Sequence, residues 1–107
     1  MPRKYYKIIL TDDVEIQVAF ETLHGSLQGF VVKLVLKIGE SIFELVRFDS
    51  AHGCPHKDTL DQNGEIVRKA WFDLLSNKQA LDLGIKDLKD NYDLYVERFY
   101  SWLEKGK

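Results

Sequence analysis

Only one cysteine, Cys54, occurs in the chain, so no internal disulfide is open to it. Long apolar runs are missing as well. The longest span three residues, as at Ile8–Leu10, Phe30–Val32 and Leu34–Leu36, whereas a membrane helix needs about 20 mainly apolar residues. No bilayer crossing is predicted. A surplus of one charge sign is also absent: 15 Lys and Arg stand against 17 Asp and Glu, a net charge of −2, which sets up no global field for a polyanion. Any nucleic-acid contact must therefore be local. The N-terminus has no charged leader ahead of a long apolar stretch, and the sequence shows no repeat, linker or low-complexity run, so a cytoplasmic protein is the simplest reading.

What is present is an ordinary globular balance, 45% hydrophobic and 30% charged over 107 residues, enough for one modest core and a single domain spanning 1–107. Such a chain folds alone or as a homodimer. Tyr5–Leu10 is aromatic and β-branched and ends at the turn signal Asp12-Asp13, so it reads as a first strand. In the next segment Val14, Ile16, Val18 and Phe20 alternate with polar neighbours, the two-residue period of a half-buried strand. After a turn at His24-Gly25-Ser26, the even positions from Phe30 to Ile38 form one apolar face of a central strand. Gly39-Glu40 turns into a fourth strand, Ser41 to about Phe48, in which Phe43 and Leu45 alternate against Ile42, Val46 and Phe48, so both faces carry apolar groups. Asn63-Gly64 is a strong hairpin signal and predicts two further strands, His56–Asp61 and Glu65–Trp71.

Ser76 and Gln79 have the spacing of a capping box at a helix start. From there Leu81, Ile85, Leu88, Tyr92, Tyr95, Phe99 and Trp102 recur at steps of three and four, with Val96 and Leu103 widening the stripe. The helix either runs through Gly84 or breaks there, because glycine costs about 1 kcal/mol against alanine in a helix interior; Gly106 is its expected end. The aromatic residues of this segment fit core packing better than base stacking. The predicted fold is α+β: an antiparallel, twisted sheet of four to six strands packed against a long C-terminal helix.

Residues that carry chemistry crowd into Arg47–Asp61, which holds His52, Cys54, Pro55 and His56. If this part is extended after Pro55, His56 and Asp58 leave the same face of a strand while Lys57 leaves the other. A carboxylate beside an imidazole sets its tautomer and raises its basicity, which suits a general base or a metal ligand. His52 lies across a Gly- and Pro-containing turn from His56, Asp49 ends the preceding strand, and Arg47 and Lys57 are the cations available to a phosphate. Asp49, His52, Cys54, His56 and Asp58 offer enough metal ligands, although their spacing is not that of a zinc module. The same residues also fit a structural turn, with the histidines as loop braces. His24, alone in a hairpin, is a turn residue.

The stretch VRFDSAHGCPHKDTLDQNG resembles a group of small prokaryotic proteins marked by a strand ending in R-[FY]-D, then A-H-G-x-P-H-[KR]-D, then an x-x-x-x-G turn. More distantly it is similar to TumE-type toxins of toxin–antitoxin pairs, which share a strand ending in Y-D, a Gly-containing loop, an H-[KR]-H triplet and a C-terminal helix. The likeness places Phe48-Asp49 at the strand end and His56-Lys57 in the triplet; Asp58 stands where the toxins have a second histidine. The toxin likeness implies action on RNA and pairing with a cognate antitoxin protein. On that reading His56 is general acid or base, Asp58 orients it, His52 is the second acid–base group, and Lys57 or Arg47 meets the phosphate, with no metal or other cofactor needed. Two readings from other classes stand beside it, a non-enzymatic protein-interaction module and a metal-dependent hydrolase.

Overall fold

A computed structural model describes residues 3–105, except for the side chain of His52; Gly106, the expected helix stop, lies outside the described residues. Six strands follow in order, β1 (Arg3–Ile9), β2 (Val14–Leu23), β3 (Ser26–Ile38), β4 (Ser41–Asp49), β5 (His56–Leu60) and β6 (Ile66–Trp71), and the helix α1 (Asn77–Lys105) ends the chain. A single 3₁₀ turn, Ala51–Gly53, lies between β4 and β5. Each strand pairs antiparallel with the next, so the sheet is a meander in sequence order. The α+β fold with a C-terminal helix on the sheet is as expected. Among the described residues no helix is long and apolar enough to cross a membrane.

Turn chemistry joins the strands. Thr11 Oγ1 accepts hydrogen bonds from the Asp13 and Val14 amides, both at 3.1 Å. His24 and Gly25 both take positive φ, 53° and 79°, between the paired Leu23 and Ser26, the twist that a two-residue hairpin requires. The β5–β6 turn is longer than Asn63-Gly64 alone. Asp61 closes it, donating its amide to Glu65 O at 2.9 Å and accepting the Asn63 and Glu65 amides on its carboxylate.

One face of β2, β3 and β4 is dry. Val14, Ile16 and Val18 are buried beside their cross-strand partners Leu36, Leu34 and Val32, and Ala80, Leu81, Leu88 and Phe99 of α1 close over them. The expected alternation in β4 does not run straight through. Leu34 pairs with Val46 but Val35 pairs with Glu44, so Leu45 is an extra residue in the ladder. This bulge resets the period and puts Phe43 on the same face as Val46 and Phe48. Ile42 is left 67% exposed, and Phe43 reaches the Phe99 ring at 5.1 Å.

The capping box forms as its spacing predicts: Ser76 Oγ accepts the Gln79 amide at 3.1 Å, and Gln79 Oε1 accepts the Ser76 amide at 2.9 Å. The helix does not break at Gly84. That glycine is buried where α1 crosses β4, and a Cβ there would lie 2.9 Å from Phe48 Cγ. Its lack of a side chain is a packing requirement that offsets its poor helix propensity.

Candidate functional site

The face of the sheet away from α1 is organised by strand register. One cross-strand row runs Tyr5, Ala19, Val31, Asp49, His56, Trp71, and the next runs Lys7, Gln17, Lys33, Arg47, Asp58, Lys69. Meander pairing thus brings residues from β4, β5 and β6 side by side. At their junction Asp49, His56 and Asp58 are all buried. Asp49 and His56 face one another because they are direct partners, while Asp58 joins them because it lies two residues beyond His56 on one strand.

His56 Nε2 is 3.1 Å from Asp49 Oδ1 and 3.6 Å from Asp58 Oδ2. Its Nδ1 is 3.1 Å from the Cys54 carbonyl oxygen. Both nitrogens therefore face oxygen atoms of the fold that accept hydrogen bonds. Trp71 lies over this ring, with centroids 5.0 Å apart. Asp49 Oδ1 also accepts the Ala51 amide at 2.9 Å, which anchors the 3₁₀ turn to the strand end.

The carboxylates have cations of their own. Arg47 places Nη2 at 3.0 Å from Asp58 Oδ2 and Nε at 3.2 Å from Asp49 Oδ2, bridging the two aspartates with one guanidinium. Lys69 Nζ lies 2.8 Å from Asp58 Oδ1. Burial pushes the Asp58 carboxyl upward in pKa, but the hydrogen bonds from Lys69 and Arg47, with the charges of His56 and Lys69, outweigh it and hold it below the usual carboxylate value. Glu44 joins Arg47 at 3.5 Å and Lys33 at 3.1 Å. The array sets three carboxylates, Glu44, Asp49 and Asp58, among Lys33, Arg47, Lys69 and the His56 ring.

The structure therefore unites three of the five expected site residues, Arg47, His56 and Asp58, with Asp49, the strand-end carboxylate expected near them. His52 belongs to the 3₁₀ turn, and its side chain lies outside the described residues. Lys57 is on the other face: its Nζ donates to Tyr95 Oη at 2.8 Å and lies 3.4 Å from Asp87 Oδ2, tying β5 to α1. Tyr95 in turn donates to Asp87 at 2.6 Å, and burial, followed by that hydrogen bond, raises its pKa. Cys54 contributes its carbonyl rather than its thiol.

Sequence reasoning alone leaves out Lys69 and Trp71, although a signal for both exists. Counting outward from Asn63-Gly64 as a two-residue loop pairs Asp58 with Lys69 and His56 with Trp71. The real loop has one more residue, and the register shift between Thr59 and Leu60 cancels it, so the same pairs result.

Asp49 Oδ1, His56 Nε2 and Asp58 Oδ2 lie close enough together to be a three-ligand set for a metal ion. The His56–Cys54 carbonyl contact is also what a metal-bound histidine usually makes on its far side. The electrostatics fit a divalent cation poorly. Arg47 and Lys69 already neutralise both aspartates, so a dication would bring a surplus of two positive charges into a buried array.

Taken together, the fold and cluster define a small α+β protein whose six-stranded meander carries a buried histidine–carboxylate–cation network on its helix-free face. The family model described as a domain of unknown function, DUF7718, matches residues 1–105, and the chain belongs to that family. No curated protein and no solved structure matches it.

Proposed function

We propose that this chain is a non-enzymatic protein-interaction module in which the histidine–aspartate cluster braces the open face of the sheet. His56 carries this reading. It is 2% exposed, and both of its nitrogens are directed at acceptors within the fold, so neither nitrogen is turned toward a substrate. The alternative implied by the toxin likeness, cleavage of RNA, needs mobile protons at His56 and a free cation for the phosphate. Lys57 lies across the sheet, and Arg47 is engaged by Asp49 and Asp58. A protein partner finds more: Tyr5, Tyr6 and Ile9 on one edge strand, and Ile66, Val67 and Trp71 on the other, are large apolar side chains left in solvent.

Induced expression of the wild type beside His56→Ala tests the reading. The expected result is growth unaffected by either protein and a lower urea midpoint for the variant, as befits a brace. Growth arrest by the wild type that disappears in a His56→Ala protein still folded by circular dichroism would overturn it in favour of catalysis.

A further inference from the structure

The two edges of the sheet differ in a way that selects one of them. On β1, Arg3 pairs with Glu21 at 3.0 Å and Lys7 lies 3.7 Å from Glu15, which leaves Lys4 as a single cation with no ion pair among the described residues. On β6, Arg68 makes no ion pair or side-chain hydrogen bond among the described residues, and neither does Arg98 of α1. Arg68 is opposite Thr59, and Ala70 is opposite Lys57, whose ammonium reaches Tyr95. Arg68 therefore leaves β6 on the helix side, since side chains two apart share a face.

Arg98 is held on that side between two rings, 5.1 Å from the centroids of both Tyr95 and Trp102. Burial, with the charge of Arg68 acting in the same direction, lowers the Arg98 pKa. The two guanidinium groups thus share the helix side of the sheet, and neither has a carboxylate within ion-pair distance among the described residues, an arrangement that favours an anion that joins them. The opposite side of β6 carries Lys69 stacked over Trp71, with the ammonium 5.2 Å from the ring centroid. Trp71 is 52% exposed, and Leu74, just past the strand, is 93% exposed. α1 lies over β2, β3 and β4 and leaves β6 beyond its border.

We infer that β6 is a docking strand for an extended acidic segment of a partner protein, which adds to the sheet edge along Arg68–Trp71. The register shift at Leu60 interrupts the ladder before this stretch, which sets its lower limit. Because strand residues alternate between faces, the occupant has a period of two. Its acidic residues meet Arg68 and Arg98 on the helix side, and its apolar residues cover Trp71 on the other. Main-chain hydrogen bonds supply part of the affinity and the guanidinium pair supplies the sign preference. The inference rests on the interaction-module reading and names the partner's chemistry.

The test titrates the whole chain into a fluorescent peptide of alternating glutamate and valine and follows anisotropy. Parallel titrations use an alternating lysine–valine peptide, a glutamate–valine peptide N-methylated at every second amide, and a single-stranded oligouridylate. The expected result is binding of the first peptide alone, weakened about tenfold by Arg68→Ala or Arg98→Ala, the loss of one charge-assisted contact. The doubly reversed Arg68→Glu/Arg98→Glu protein, confirmed as folded by circular dichroism, should instead take the lysine–valine peptide. Four results would each overturn the inference: no binding of the glutamate–valine peptide, equal binding of both charge types, indifference to N-methylation, or oligouridylate binding lost with Arg68 and Arg98. A failed titration with silent growth assays removes only the acidic strand; growth arrest that depends on His56 removes the interaction module itself.

Discussion

Arg47 is the residue on which both buried aspartates of the open face depend, because a single guanidinium lies within ion-pair distance of an oxygen of each. Removing one partner of a buried pair costs about 3–5 kcal/mol; Arg47 is partly exposed, and Lys69 still reaches Asp58, so Arg47→Ala should cost about 2–3 kcal/mol, read from urea midpoints. Arg47→Lys should recover only part of this, since an ammonium cannot span both carboxylates. Asp58 adds a pH dependence with a defined sign. Its folded pKa lies below the ordinary value of 3.8, so the unfolded chain takes up the proton first. Its contribution is complete above pH 3.8 and is lost as the pH falls below that value through the folded pKa. The urea midpoint should therefore decline on acidification through this range, and Asp58→Asn should flatten that part of the decline. An unchanged slope in the variant would remove Asp58 as its source.

At the scale of elements, the contact between α1 and β4 is set by Gly84. Alanine is the better helix former by about 1 kcal/mol, yet its Cβ would stand 2.9 Å from Phe48 Cγ and 3.2 Å from two further ring and side-chain carbons. Overpacking of this kind costs about 1–3 kcal/mol. Gly84→Ala is expected to lower the melting temperature despite its helix propensity, and adding Phe48→Leu should recover part of the loss; a stabilised Gly84→Ala protein would show that the helix can shift at no cost. The same contact explains why the break that glycine suggested at this point does not occur. Helix propensity is local, whereas the value of a missing Cβ depends on a phenylalanine 36 positions earlier in the chain.

For the whole molecule, the core joins sheet and helix into one cooperative unit. Phe99 is 1% exposed and touches Phe43 across the layers, so Phe99→Ala should cost about 3–5 kcal/mol. Far-ultraviolet circular dichroism and tryptophan fluorescence should still change together on unfolding, because neither layer has a dry face without the other. A helix signal that melts before the sheet would separate the layers and refute this.

Much of this architecture was legible in the sequence because its causes are local. Alternation in β2 and β3, the Ser76–Gln79 cap and the apolar stripe of α1 follow from chain geometry with a period of two or of 3.6. The pairing of His56 with Asp58 on one face, and the separation of Lys57 from them, follow from the same alternation. Tertiary structure decided the rest. The bulge at Leu45 turned Phe43 toward the helix because the core had to be filled there, and Gly84 stayed helical because Phe48 occupies the space beside it. Register across three strands gave the aspartates their cations and His56 its Trp71 cover. A reactive-looking cluster of residue types became a buried, ion-paired network, since the access to a histidine depends on which atoms face its two nitrogens, and those atoms come from parts of the chain that only folding brings together.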